Sequence, residues 1–194
     1  MALSDYLVTL ADVVEVPQDR AELYDVFVAG APYTSGNKKS SSSSVCINNL
    51  GMSDTSFQKI IRQPPFAWSL EYIGSSDSVS AKVKLAGESV VAYPSRDTGR
   101  LYLSQKTHTN GAGKITKDET DTTCLFRHLR NAIAHGGIYS RREGNVLLID
   151  RADGLKGAVT AYCFISVIDM VALKDKLLNW VDANQSDMGP ESQP

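Results

Sequence analysis

Residues 124–137 read CLFRHLRNAIAHGG, and this is the most informative stretch of the sequence. At roughly 100° per residue, its apolar side chains fall within one arc about 120° wide. They are Leu125, Phe126, Leu129, Ala132 and Ile133. The remaining circle holds Arg127, His128, Arg130, Asn131 and His135. This pattern predicts an amphipathic helix that docks on a core by one face and presents the other face to solvent, a partner chain or a ligand.

The ends of this helix also carry sequence signals. Residues 116–119 resemble a capping box at the start, and the Gly136-Gly137 pair predicts the stop. His135 then lies in the last turn, where the helix dipole favours a protonated imidazole. A histidine at a helix end often serves only as a charge partner for the dipole, so its meaning depends on Arg130 and Asn131 beside it.

The polar side chains suit phosphate chemistry. His128, Asn131 and His135 follow i, i+3, i+7 spacing and form one stripe, and Arg130 flanks it. A histidine can titrate near neutral pH, whereas an arginine is a permanent cation that fits a phosphate. Together they supply what RNA cleavage without a metal ion requires.

The run from Leu129 to Gly136, LRNAIAHG, resembles the Arg-polar-x3-His signature of the HEPN superfamily. Members of that superfamily are all-helical domains found in many prokaryotic RNase toxins and defence proteins. The resemblance covers residues 120–150 and is compatible with a long final helix. It implies that Arg130 and His135 are the signature pair and that Asn131 is its polar companion.

The same resemblance implies that the protein is a metal-independent endoribonuclease that cleaves RNA to a 2′,3′-cyclic phosphate. It further implies a toxin-antitoxin or phage-defence context. The motif helices of two protomers would face each other in a homodimer, with RNA as substrate and a cognate antitoxin or nucleotidyltransferase as a further partner. Flanking RNA backbone would be held by Arg127, His128, Arg141 and Arg142.

Two alternatives remain open at this point. In the first, the chain is a HEPN protein that binds nucleotides, RNA or a protein partner without cutting RNA. In the second, it is a structural dimer in which Arg130 and His135 make interfacial hydrogen bonds.

The amino-acid composition disfavours several other classes of protein. Lys and Arg number 20 against 22 Asp and Glu, a net charge of −2, so non-specific coating of nucleic acid is disfavoured. Residues 127–156 are locally basic, however. No apolar run reaches the roughly 18 residues of a membrane helix, and residues 1–5 do not resemble a signal peptide, so a cytoplasmic protein is expected.

The cysteines and histidines favour no metal or redox chemistry. Cys46, Cys124 and Cys163 are far apart and odd in number, which predicts buried, reduced thiols and neither a disulfide framework nor a CxxC metal site. With three histidines and no HExxH motif, a zinc hydrolase is disfavoured, although spacing does not exclude an oxygen-ligand magnesium site. No cofactor is expected.

The expected fold is mainly α: a HEPN-like helical bundle in one domain, residues 1–184, followed by a polar tail at 185–194. Besides the motif helix, hydrophobic spacing predicts helices at residues 3–16, from 19 to near 30, at 54–61 and at 159–181. A serine-rich loop is expected at 34–44.

Strands are expected in two places only. Residues 138–141 and 146–149 flank a turn rich in Gly and Asn, which predicts a β-hairpin directly after the motif helix. The middle region, 75–117, permits several interpretations. Residues 79–85 alternate as in a strand, yet 81–93 also fit a helix, and 101–103 fit a short strand.

Overall fold

The computed structural model describes residues 3–29, 52–74, 78–85, 98–153 and 156–185. The serine-rich loop expected at 34–44 lies outside these ranges. So does the polar tail apart from Gln185, which is the last residue of the final helix.

A six-stranded mixed sheet forms the middle of the molecule, so the expected mainly α class is wrong and the fold is mixed α/β. In chain order, the strands of the described residues are β1 Leu7–Val8, β2 Ser69–Gly74, β3 Arg100–Gln105, β4 Thr107–Thr109, β5 Ile115–Lys117, β6 Ile138–Ser140, β7 Asn145–Arg151 and β8 Val159–Ser166. The large sheet has the order β1-β6-β7-β8-β3-β2, and β4 pairs with β5 in a separate hairpin. Among these described strands, only the β2–β3 pair is parallel.

Strand β8 explains much of the difference between the expected helical bundle and the mixed fold. Residues 159–181 were expected to be one apolar helix, but the helical part begins at Val167. Within β8, Ala161, Cys163 and Ile165 belong to the core on one face of the sheet, whereas Tyr162 and Phe164 belong to the core on the other. A strand buried on both faces has no polar alternation, so its apolar run resembles that of a buried helix.

Six α-helices accompany the sheet within the described ranges. They are α1 Leu10–Val13, α2 Pro17–Tyr24, α3 Asp54–Arg62, α4 Val79–Leu85, α5 Asp121–Ala134 and α6 Val167–Gln185. The helix expected at 3–16 is instead a 3₁₀ turn, strand β1 and the short α1. Helix α3 confirms the prediction at 54–61, and α4 settles the alternatives for 79–85 in favour of a helix.

Helix α5 is the motif helix, and it lies between the sheet and other helical segments. Its predicted apolar face is confirmed, since all five of its apolar residues are buried. Phe126 stacks on Phe27, with ring centroids 5.7 Å apart, and contacts Phe57 of α3 at 5.3 Å. Phe27 lies in a π-helical turn, Asp25–Ala29, that continues α2.

The start of α5 is fixed by a cap from a distant part of the chain as well as by its own. Thr120 is the N-cap and accepts a hydrogen bond from the Thr123 backbone N–H at 3.1 Å. Asp54 of α3 accepts from the backbone N–H groups of Asp121 and Thr122 at 3.1 and 3.0 Å. The helix therefore begins after the capping box expected at 116–119, and α3 is joined to its first turn.

The end of α5 confirms the glycine stop. Gly136 has φ of +70°, a conformation that residues with a Cβ rarely adopt. A Cβ at Gly137 would overlap the carbonyl oxygen of Ile149 in β7. The two glycines thus turn the chain sharply into β6, and the predicted β6–β7 hairpin is confirmed, with register Ile138 to Leu148.

Among the described helices, none combines the length and the apolar composition needed to span a membrane.

Candidate active site

Helix α5 crosses one end of the sheet, and this crossing positions the motif. At its start, Gln105 at the end of β3 donates from Nε2 to Oδ1 of Asp121 at 3.0 Å. Two turns later, Nδ1 of His128 lies 2.7 Å from Oδ2 of Asp150, near the end of β7. Both β3 and β7 run antiparallel to β8, so their carboxyl ends lie at the same end of the sheet. The motif residues therefore lie over the carboxyl end of β7 and beside the start of β6, the strand that directly follows α5.

Arg130 and Asn131 are in direct contact. Arg130 is half-buried, and its Nη1 donates to Oδ1 of Asn131 at 3.0 Å. The Nδ2 of Asn131 donates in turn to Oδ2 of Asp150 at 3.4 Å. The guanidinium of the signature arginine is thereby tied to the sheet through its neighbour.

His135 is the C-cap of α5 and is exposed. Its backbone N–H donates to the Asn131 carbonyl oxygen at 2.9 Å, which closes the last helical turn. Its backbone N–H thus fixes where the imidazole emerges from the helix end. A residue in this position can exchange protons with a ligand, because solvent reaches its side chain.

Arg127 and His128 are buried and have partners inside the protein. The guanidinium of Arg127 donates to both carboxylate oxygens of Glu119, at 2.9 and 2.5 Å, and to the Ser104 carbonyl oxygen at 3.0 Å. His128 has no exposed surface; its Nδ1 lies 2.7 Å from Asp150 and its Nε2 lies 2.8 Å from the Ser104 carbonyl oxygen. We therefore leave these two residues out of any nucleic-acid surface.

Arg141 and Arg142 lie at the far end of the β6–β7 hairpin from α5. Arg142 is exposed in a 3₁₀ turn, Arg142–Gly144. The Arg141 guanidinium lies 5.0 Å from the ring centroid of Phe164, which belongs to the core on the other face of the sheet from α5. A three-residue strand separates them from the end of α5 by about 10 Å. Contact with RNA backbone stays a prediction for both.

Asp150 is the site residue that sequence reasoning missed. It is 3% exposed, and its Oδ2 receives hydrogen bonds from Asn131 and from the Thr160 hydroxyl, the latter at 3.1 Å, besides the contact with His128. A signal was present in the alternation of β7. Val146, Leu148 and Asp150 share the strand face that packs against α5, so a carboxylate interrupts an apolar face beneath the motif.

Arg127 and Glu119, which lie beside the hydrogen bonds of Asp150, carry opposite charges. Burial raises the pKa of Glu119, but the hydrogen bonds from Arg127 and from the Lys106 backbone N–H outweigh burial and bring that pKa below its usual value. Burial, with a smaller contribution from Glu119, raises the pKa of the Cys124 thiol. Arg127 and Glu119 are thus an ion pair at neutral pH, and Cys124 is a protonated thiol.

The cysteines that the structure describes, Cys124 and Cys163, are free and buried, and Cys46 lies outside the described residues. Within the same part of the chain, no cluster of three or more His, Cys, Asp or Glu side chains has a metal-binding arrangement.

A family model described as HEPN pEK499 p136 matches residues 71–188, which is more than half of the chain. The chain belongs to this HEPN family. The matched region runs from β2 to just beyond α6 and contains the whole motif of α5, so the resemblance of LRNAIAHG to the HEPN signature is confirmed. Membership supports a HEPN-type nuclease or RNA-binding role. Comparison with curated proteins and with solved structures gave no match.

Proposed function

We propose that this HEPN protein is a metal-independent endoribonuclease whose reacting groups are Arg130 and His135. The observation that carries the proposal is their placement at one end of a rigid helix. The arginine is held by Asn131, and the histidine is exposed at the helix terminus. The family match over the same helix supports it.

The proposed reaction is attack by an RNA 2′-hydroxyl on the adjacent phosphorus. The 2′-oxygen to phosphorus bond forms as the bond to the 5′-oxygen breaks, so the products are a 2′,3′-cyclic phosphate and a free 5′-hydroxyl. His135 takes the proton from the 2′-hydroxyl or donates one to the departing 5′-oxygen. Arg130 binds the phosphate and stabilises the negative charge that develops on it.

We further propose that two copies of the chain form a composite site, with the motif helices facing each other. RNA is the substrate, and a cognate antitoxin or nucleotidyltransferase is a proposed regulator in a toxin-antitoxin or phage-defence setting. Exposure of His135 at the surface is compatible with a partner copy meeting it there.

RNA cleavage is expected to persist in excess EDTA, because every proposed role is filled by a side chain. The measurement is cleavage of one end-labelled RNA with and without chelator, with the product ends identified by mass spectrometry. We expect a 2′,3′-cyclic phosphate in both reactions. Cleavage that stops in EDTA and returns with magnesium or manganese contradicts the proposal; binding without cleavage favours the non-catalytic HEPN alternative.

A homodimer is expected at micromolar concentration. Light scattering should report about twice the chain mass. Substitution of an exposed residue next to His135, for example Ala134→Glu, should shift the protein toward the monomer. Ala134 is exposed beside His135, so a new carboxylate there would place an unpaired charge in the proposed interface between the motif helices. A strict monomer that still cleaves RNA removes the composite site and leaves the chemistry of a single chain.

A further inference from the structure

We propose that Asp150 is a positioning residue for the signature arginine and acts on Arg130 through Asn131. The proposal rests on the proposed function for its activity measurements only. Hydrogen bonds link three side chains one after another: Arg130 donates to Asn131 at 3.0 Å, and Asn131 donates to Asp150 at 3.4 Å.

The amide of Asn131 suits this place because its two ends differ. A guanidinium offers only donors, so Asn131 must present its oxygen to Arg130. Oδ2 of Asp150 is the acceptor on the other side, so Asn131 presents its NH₂ group to Asp150. The amide therefore has one orientation that satisfies both neighbours. A hydroxyl or an apolar side chain at position 131 lacks this pair of ends in a planar arrangement.

Asp150 is itself held on three sides. Its Oδ2 lies 2.7 Å from Nδ1 of His128 and accepts from the Thr160 hydroxyl of β8 at 3.1 Å, in addition to Asn131. His128 is fixed at its other nitrogen, because the Ser104 carbonyl oxygen can only accept and so Nε2 donates to it at 2.8 Å. The chain of contacts thus anchors Arg130 to the backbones of β3 and β7.

Loss of the Asp150 carboxylate should free the Asn131 amide to rotate. The Arg130 guanidinium would then lose this acceptor and sample positions that do not match the phosphate. Since misplacement of a catalytic group by about 1 Å can cost on the order of 100-fold in rate, we expect kcat to fall by about 10 to 100-fold, and we expect KM to rise as well because Arg130 is proposed to bind the phosphate before the reaction.

The test compares the wild type with Asp150→Ala, and with Lys174→Met as a control. Lys174 is a buried cation that donates to Asp19 and Glu22 at 2.7 Å, between α6 and α2, so its loss destabilises the fold without touching the α5 motif. For each protein we would measure the solvent exchange of the Asn131 side-chain amide protons by NMR, the melting temperature, and kcat and KM on one labelled RNA.

We expect Asp150→Ala to speed Asn131 amide exchange by about 10-fold or more and to lower kcat, and Lys174→Met to lower only the melting temperature. An Asp150→Ala protein whose amide exchange and kcat match those of the wild type overturns the proposal. Should that variant fail to fold, the solvent exchange of the Asn131 side-chain amide in the wild type decides instead.

The wild-type measurement separates this proposal from the proposed function. Slow solvent exchange of the Asn131 Nδ2 protons supports the positioning contact whether or not the protein cuts RNA. An amide that exchanges as fast as an exposed asparagine side chain overturns the contact even in an active ribonuclease. If the parent protein does not cleave RNA, the proposed function fails, and the exchange rates alone decide whether Asp150 holds Asn131.

Discussion

RNA cleavage by the His135→Ala variant is expected to be lower than that of the wild type by a factor on the order of 10²–10⁴, the usual contribution of a general acid or base. Folding and RNA affinity should be largely retained. The His135 side chain is exposed, and the backbone N–H that closes the last turn of α5 is unchanged by the substitution. In the proposed mechanism the imidazole contributes mainly to the transition state.

Two further variants make this measurement specific. His108→Ala is the matched control, because it removes another exposed imidazole, on β4, and should leave cleavage unchanged. Arg130→Ala should weaken both RNA binding and cleavage, since the guanidinium is proposed to contact the phosphate in the ground state as well. Unchanged cleavage in His135→Ala contradicts our assignment even if the protein is a ribonuclease. A loss seen only in melting temperature or dimer dissociation favours the structural pair of Arg130 and His135.

Local features of the motif helix could be predicted from sequence because they depend on neighbours in the chain. Phe126 and Leu129 follow helical spacing, and both are buried on the predicted face. The Gly136-Gly137 stop needs only a positive φ and a close approach to β7, which glycine signals directly. The β6–β7 hairpin follows from its turn residues.

The sheet could not be predicted in the same way. Strand β8 lies between β7 and β3, so both of its faces are covered, and its apolar run carries no period that distinguishes a strand from a helix. Once residues 159–166 were assigned to a helix, the sheet lost the strand that joins the β6–β7 hairpin to β3. The mainly α prediction follows from this error together with strands β1 and β2, which the sequence pattern does not predict.

The burial of Arg127 and His128 could not be predicted for a related reason. A helical wheel assigns one buried face, but α5 has the sheet on one side and Phe27 and Phe57 on another. The polar side chains that face the sheet are therefore buried. Their partners, Glu119 and Asp150, lie in other elements, and residue spacing along α5 gives no information about them.

The Arg127→Met variant is expected to lose roughly 3–5 kcal/mol of its free energy of unfolding, the usual cost of removing one partner from a buried ion pair. The side chains of Arg127 and Glu119 are 9% and 4% exposed, so the carboxylate that remains has little access to water. Urea unfolding at pH 7 measures the loss. Arg142→Met is the matched control, since Arg142 is exposed, and it should differ from the wild type by less than about 0.5 kcal/mol.

The pH dependence of that loss tests its cause. In the wild type the pKa of Glu119 lies below its ordinary value of 4.5, so this group contributes stability that is complete above pH 4.5 and is lost as the pH falls through the folded-state pKa. In Arg127→Met the burial of Glu119 is no longer opposed by the guanidinium, so its pKa should rise above 4.5, and protonation relieves the penalty as the pH falls. The difference in unfolding free energy between the two proteins should therefore shrink steadily from pH 7 to pH 4.

Because other acid-sensitive groups are common to both proteins, they cancel in this difference. A difference that is the same at every pH would show that the loss comes from packing of the arginine side chain and not from the buried carboxylate.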